Sequence, residues 1–221
     1  MNLNFERGFC FFNHVAIAAK NAIKNYKMKK ILILDFDIHH GNGTEDIFYE
    51  SNEVLFISIH SYGKFYPGSG NSKDIGKNEG KGFNVNIPLP GDGYGNVEYL
   101  MIFNEIIIPI LKEFKHDLII ISGGFDAVQG DLLGRNQLSP KFYGEMIQIF
   151  KDNSTSKIML VLEGGYNIGE TNKCLFEVTK VLLQDFEFKE TKTLKSLKEK
   201  EMKKIIDSIK MNQKEYWKCF Q

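Results

Sequence analysis

The chain has 221 residues, of which 43% are hydrophobic, enough for one domain with a substantial core or one domain with an appendage. Lys plus Arg and Asp plus Glu each number 28, so there is no basic excess to argue for direct nucleic-acid binding. Cys10, Cys174 and Cys219 are far apart with no CxxC, the usage of reduced thiols in an intracellular protein and not of a disulfide framework. The opening residues contain no apolar signal core. The most apolar run, Ile106 to Leu111, is short, contains Pro109 and lies between Glu105 and Lys112, which argues against a membrane span. A cytosolic or nuclear protein is the expectation.

In chain order, Asn13 can cap a helix over His14 to Tyr26, whose apolar positions include Val15, Ile17, Ala18, Ala22 and Ile23. Lys30 to Leu34 reads as a buried parallel strand. A short helix over Glu45 to Tyr49 follows, then a second buried strand over Val54 to Ile59. Residues 61–82 contain six glycines and form a connection too long for an ordinary loop, which marks them as functional. Gly82 to Ile87 alternates like a strand, and Asn96 to Phe114 has helical spacing through Leu100, Phe103, Ile107 and Leu111. The same rhythm continues through strand Leu118 to Ile121, helix Pro140 to Phe150, strand Lys157 to Leu162 and helix Asn172 to Leu183. Strands alternating with helices predict an α/β fold with a mainly parallel sheet and helices on both faces. Residues 1–186 are expected to form this domain. Residues 187–221 are expected to form a Lys/Glu-rich linker and an amphipathic helix bearing Ile205, Ile206, Ile209, Tyr216, Trp217 and Phe220, packed back on the domain. A partner-binding helix is the alternative.

The chemistry-bearing residues follow strand ends. Asp35, Asp37 and His39 follow the first strand, and Ser58 and His60 end the second. Asp126 follows Gly123-Gly124-Phe125, and Tyr166 follows Glu163-Gly164-Gly165. Ligand sites in open parallel sheets form at that carboxyl edge. On an extended backbone Asp37 and His39 share a face, so with Asp126 they can converge on a divalent ion and leave coordination open for water. Asp35 can stand behind them as a supporting group. An isolated Asp-x-His is more often a turn cap beside a satisfied histidine, and Tyr166 alone would be a core or rim tyrosine. The two glycines before Tyr166 let the backbone approach closely, and its hydroxyl could then donate to an oxyanion.

Seven segments in order carry a resemblance. They are GFCFFNHVAIAA at 8–19, DFDIHHGNGT at 35–44, YGKFYPGSG at 62–70, KGFNVNIPL at 81–89, SGGFDA at 122–127, GDLLG at 130–134 and LEGGYN at 162–167. The chain resembles the C-terminal part of a class II histone deacetylase domain of the arginase–deacetylase superfamily over residues 8–185. That resemblance implies the three-layer arginase/deacetylase-like fold, here N-terminally incomplete. It implies zinc held by Asp37, His39 and Asp126, and Tyr166 polarising the acetamide carbonyl. Potassium would be held by the side chains of Asp35 and Ser58 with backbone carbonyls of Asp35, Asp37, His39 and Ile59. An acetyl-lysine channel would be lined by Phe9, Tyr66, Leu133 and Gly165.

The implied reaction is hydrolysis of N6-acetyl-lysine in histones or other proteins, in the nucleus or cytoplasm, with corepressor proteins as partners. A deacetylase of acetylated polyamines or small amides is the alternative within the superfamily. Asn42, within HHGNGT, favours class II. Tyr66 stands where the family usually has phenylalanine, and Leu132 where it has proline. The tandem histidines that family members carry shortly before GFCFFN have no counterpart in MNLNFER. The chain is therefore expected to be a truncated product, or a catalytically impaired zinc-binding scaffold in a repressor complex.

Overall fold

A computed structural model describes residues 8–183, 196 and 198–221. Five parallel strands form one sheet: β1 (Ile31–Asp35), β2 (Val54–Tyr62), β3 (Asn84–Pro90), β4 (Leu118–Gly123) and β5 (Lys157–Leu162), in the order β3-β2-β1-β4-β5. β1 is central, with Ile31 opposite both Val54 and Leu118, and Asp35 opposite both Ser58 and Ser122. The chain builds outward on one side through β2 and β3, then crosses to the other side of β1 for β4 and β5. The crossing makes the carboxyl ends of β1 and β4 the switch point of the sheet, where neighbouring connections diverge and leave a crevice.

Continuous apolar strands need cover on both faces, and the alternation of side chains divides them between two cores. Ile31, Ile33, Val54, Phe56 and Ile120 pack with Val15, Ala16, Ala19 and Ala22 of α1 (His14–Tyr26) and Phe48 of α2 (Asn42–Phe48). Leu32, Leu34, Leu55, Ile57, Ile119 and Ile121 face the larger core. That core is covered by α3 (Asn96–Ile102), α4 (Ile108–Glu113), α5 (Pro140–Asn153), α6 (Ile168–Leu182) and α7 (Glu199–Gln213). The three-layer α/β fold expected from the resemblance is thus the fold observed.

Asn13 caps α1, its Oδ1 accepting from Ala16 N at 2.8 Å. Its Nδ2 donates to Thr44 Oγ1 at 2.9 Å, fastening α1 to α2. α6 starts four residues before the expected Asn172, because the Asn167 side chain accepts from Glu170 N at 3.3 Å and caps it there. The expected single helix 96–114 is divided by a π-helical segment, Phe103–Ile107. Pro109, just beyond it, has no N–H to donate and its ring would meet the carbonyl of Glu105, a conflict that a wider turn relieves.

β3 is an edge strand, and the C-terminal elements cover it. Gln213 Nε2 donates to Asn84 O at 2.8 Å and Trp217 Nε1 to Gly82 O at 2.9 Å, while Met202, Ile206 and Ile209 enter the core. α7 begins within the Lys/Glu-rich stretch, at Glu199, and residues 187–195 of the expected linker lie outside the described residues. β5, the other edge, leaves Met159 42% and Leu162 54% exposed.

Candidate metal centre

β1 ends at Asp35, and residues 36–40 turn instead of continuing as a strand. Asp37 and His39 therefore converge by a turn and not by the alternation expected from an extended backbone. Asp37 N donates to Asp35 Oδ1 at 3.1 Å, and His39 N donates to Asp37 Oδ1 at 2.8 Å. Each carboxylate accepts the amide two residues ahead, a local bond open to aspartate because its side chain is short. The imidazole of His39 is brought back over Asp37, with Nδ1 2.9 Å from Asp37 Oδ1.

Asp126 arrives from β4, adjacent to β1. It is fully buried; its Oδ1 accepts from Ile38 N at 2.8 Å and its Oδ2 lies 3.0 Å from His39 Nδ1. One ligand atom from each of Asp37, His39 and Asp126 lies within 4.8 Å of the others. β5 closes the third side. Gly164 N donates to Asp37 Oδ2 at 3.0 Å, and a Cβ on Gly164 would stand 2.6 Å from Oδ2 of both aspartates. A Cβ on Gly124 would stand 2.3 Å from Asp37 Oδ2. The glycines before Asp126 and Tyr166 thus give the carboxylates the space they occupy.

The electrostatics follow from this crowding. Burial drives Asp126 above the usual carboxylate range, and the charge of Asp37 adds to it. Burial would lower His39, but its bonds to Asp126 and Asp37 outweigh that and raise it to about 10. The two carboxylates thus make a spot that favours positive charge. Two carboxylate oxygens and an imidazole nitrogen are also a donor set for a divalent zinc ion, with coordination left open. The residues fit the metal that the resemblance implies.

Tyr166 is half-buried, and burial together with the charges of Asp37 and Asp126 raises its phenol to about 12, so the hydroxyl stays protonated as a donor. Asp35 and Ser58 lie side by side on β1 and β2. Burial, then the charges of Asp37 and Glu163, hold the Asp35 carboxyl well above its ordinary range. The Ser58 hydroxyl is 2.9 Å from His60 Nδ1, and His60 Nε2 is 2.9 Å from Gly70 O. A carbonyl only accepts, so Nε2 carries the proton and Ser58 donates to Nδ1.

The channel residues are less gathered. Tyr66 lies edge-on to His39 with ring centroids 6.3 Å apart and is 55% exposed. Leu133 is 46% exposed and Phe9 88% exposed. Gly165 has φ of 138°, and a Cβ there would stand 2.7 Å from Thr171 Oγ1. Phe65, not anticipated from the sequence, stacks on His39 at 5.0 Å; its only signal was its place beside Tyr66. Asp131 was also missed as an individual residue, although GDLLG was recognised; its carboxylate accepts from Tyr166 N.

The other imidazoles are engaged elsewhere. His40 bonds Ser69 Oγ at 2.9 Å and lies 3.3 Å from Glu45 Oε2. His116 bonds Phe114 O and Ser154 Oγ, and His14 is exposed on α1. Among the described residues, His39 is the one imidazole that meets the carboxylate pair.

The profile of the histone deacetylase domain matches residues 4–182. Histone deacetylase HDA1 of Saccharomyces cerevisiae is 42% identical over 219 residues, covering 96% of this chain and 31% of the relative. The solved structure of the histone deacetylase Clr3 superposes with a TM-score of 0.89 at 35% identity, covering 95% of this chain and 36% of that one. The crystal structure of the HDA15 HD domain gives a TM-score of 0.89 at 37% identity, over 97% of this chain and 60% of that one. The chain thus spans about a third of the length of the HDA1 relative that it matches. With the family profile covering most of its residues and relatives more than 30% identical over nearly all of them, the chain belongs to the histone deacetylase domain family, among class II-type relatives.

Proposed function

We propose that this chain carries the zinc site of a deacetylase that hydrolyses N6-acetyl-lysine in histones or other proteins to lysine and acetate, acting in the nucleus or cytoplasm. The observation that carries this reading is the meeting of Asp37, His39 and Asp126 at the sheet's switch point, with Tyr166 two residues beyond Gly164, whose N–H donates to Asp37. Zinc bound there would supply a Lewis acid for the amide carbonyl and for water. Asp37, His39 and Asp126 hold the ion. Tyr166 donates a hydrogen bond to the carbonyl oxygen as negative charge gathers on it. Phe9, Tyr66, Leu133 and Gly165 line the way in for the acyl-lysine side chain. Asp35 and Ser58, side by side on β1 and β2, would hold a potassium ion behind the site, where it would supply positive charge beside the carboxylates. Among the described residues no helix is long and apolar enough to cross a membrane.

One observation favours a second reading, a zinc-binding scaffold within a corepressor assembly. Hydrolysis of an amide needs a group that takes a proton from water and gives one to the amine, and no described imidazole except His39 faces the carboxylates. The experiment has two steps. Metal analysis should find about one zinc per chain, sharply less in Asp126→Ala and an unchanged amount in Asn42→Ala. A fluorogenic acetyl-lysine assay on the loaded protein then separates the readings. Zinc-dependent turnover supports the enzyme, zinc without turnover supports the scaffold, and equal zinc in wild type and Asp126→Ala refutes both.

A further inference from the structure

Tyr166 lies in a stretch with no regular structure, residues 163–167 between β5 and α6, directly after two glycines. Such a stretch does not hold a phenol in place by itself. What holds it comes from the loop after β4. Asp131 Oδ2 accepts from Tyr166 N at 2.7 Å and from Asn167 N at 3.2 Å. Its Oδ1 accepts from Leu133 N at 2.8 Å and from Gly134 N at 2.9 Å. Asn167 Nδ2 returns a bond to Gly130 O at 2.8 Å. The base of this clasp is itself fixed to the metal centre, because the Gly134 backbone packs so closely on the Asp126 carbonyl that a Cβ there would lie 1.7 Å from it.

We propose that Asp131 is a positioning residue for the reaction, its carboxylate setting the Tyr166 hydroxyl against the metal centre by clasping the backbone of both loops. This rests on the role given to Tyr166 under the proposed function. Asp131 reaches Tyr166 through the backbone and acts through it. The carboxylate is needed because all four partners are N–H donors: an ionised carboxylate offers acceptors on both oxygens, whereas asparagine would turn an NH2 group toward one donor pair. Displacing a reacting group by about 1 Å can cost on the order of a hundredfold.

The test compares wild type, Asp131→Asn, Tyr166→Phe and the double variant, each zinc-loaded. The probe is a fluorescein-labelled lysine-derived trifluoromethyl ketone, whose hydrate mimics the tetrahedral oxyanion without requiring turnover. Each single variant should bind it about tenfold more weakly or worse, with zinc content unchanged. The double variant should bind about as weakly as Tyr166→Phe, since a residue acting through the hydroxyl has nothing left to position. Wild-type affinity in Asp131→Asn, or losses that multiply in the double variant, would overturn the proposal. If the wild-type chain fails to take up zinc or the probe, the proposed function fails, and amide exchange decides the positioning alone. Faster exchange in Asp131→Asn confined to Leu133, Gly134, Tyr166 and Asn167, with β4 and β5 unchanged, supports the clasp; unchanged exchange at Tyr166 overturns it.

Discussion

Replacing Gly164 by alanine probes the metal centre without removing a ligand. The new Cβ would stand 2.6 Å from Oδ2 of Asp37 and of Asp126, whereas ordinary contact begins at 3.4 Å, a deficit of about 0.8 Å at each oxygen. Metal–ligand distances tolerate about 0.2 Å, so the shift required is several times what a bound ion accepts. Retreat of the backbone gives no escape, because Gly164 N donates to Asp37 Oδ2 at 3.0 Å and would withdraw that bond. Gly164 is outside the left-handed region, so the substitution crowds the site without straining its own backbone. Disturbing the contacts that orient metal ligands costs about 10- to 100-fold in affinity, or roughly 1.4 to 2.7 kcal/mol. Competition against a chromophoric zinc chelator measures the loss, and circular dichroism checks the fold. Gly43→Ala is the control, since the nearest atom to its Cβ is 3.8 Å away. If Gly164→Ala binds zinc as wild type does, the ion is not held between Asp37 and Asp126, and the reasoning fails.

Three further outcomes are expected. Where acetyl-lysine turnover is measured, Tyr166→Phe should keep its zinc and lose about a hundredfold in kcat; an unchanged kcat would reduce Tyr166 to packing. Glu45→Gln should lower stability at pH 7 by about 2 kcal/mol, because Glu45 Oε2 accepts from Asn84 Nδ2 at 2.7 Å and Asn86 Nδ2 at 2.6 Å inside the protein. Burial would raise Glu45, but His40, Asn86 and Asn84 lower it below its ordinary 4.5. Its contribution is therefore complete above pH 4.5 and is lost as pH falls through the lowered value. Urea melts of wild type and variant should accordingly converge in acid, and a gap that widens there would refute the assignment. Assayed alone, the zinc-loaded 221-residue chain should turn over acetyl-lysine at least about a hundredfold more slowly than a full-length relative; matching rates would reveal a proton carrier among groups not credited with that role.

The fold was legible because its information is local. Apolar runs such as Ile31 to Leu34 and Ile119 to Ile121 are buried on both sides, which only an inner parallel strand requires. Alternation with helical spacing then fixed the class. Strand order was not legible: the crossing from β3 to the far side of β1 depends on pairing between distant residues, Ile31 with Leu118 and Asp35 with Ser122, and a list of elements does not encode it. Nor was the π segment before Pro109. A proline inside a helical pattern signals a disturbance, but whether the helix kinks, ends or widens is decided by the core that Phe103, Ile106 and Ile107 must enter.

The site shows a different division. Asp37 and His39 were expected to meet because alternate residues on a strand share a face, yet the strand has ended before either. They meet because each aspartate bonds the amide two residues ahead, so that Asp35 holds Asp37 N and Asp37 holds His39 N. The spacing of two is common to both mechanisms, which is why the pairing was readable from the sequence while its cause was not. Asp131 marks the opposite case. Its four N–H partners come from two loops, and the two at Tyr166 and Asn167 lie 35 and 36 residues away. A residue whose partners are backbone amides has no complementary side chain to reveal it in a sequence. Its chemistry becomes visible only when the switch point of the sheet brings the ends of β4 and β5 together, where the Asp126 loop fixes the place of Tyr166.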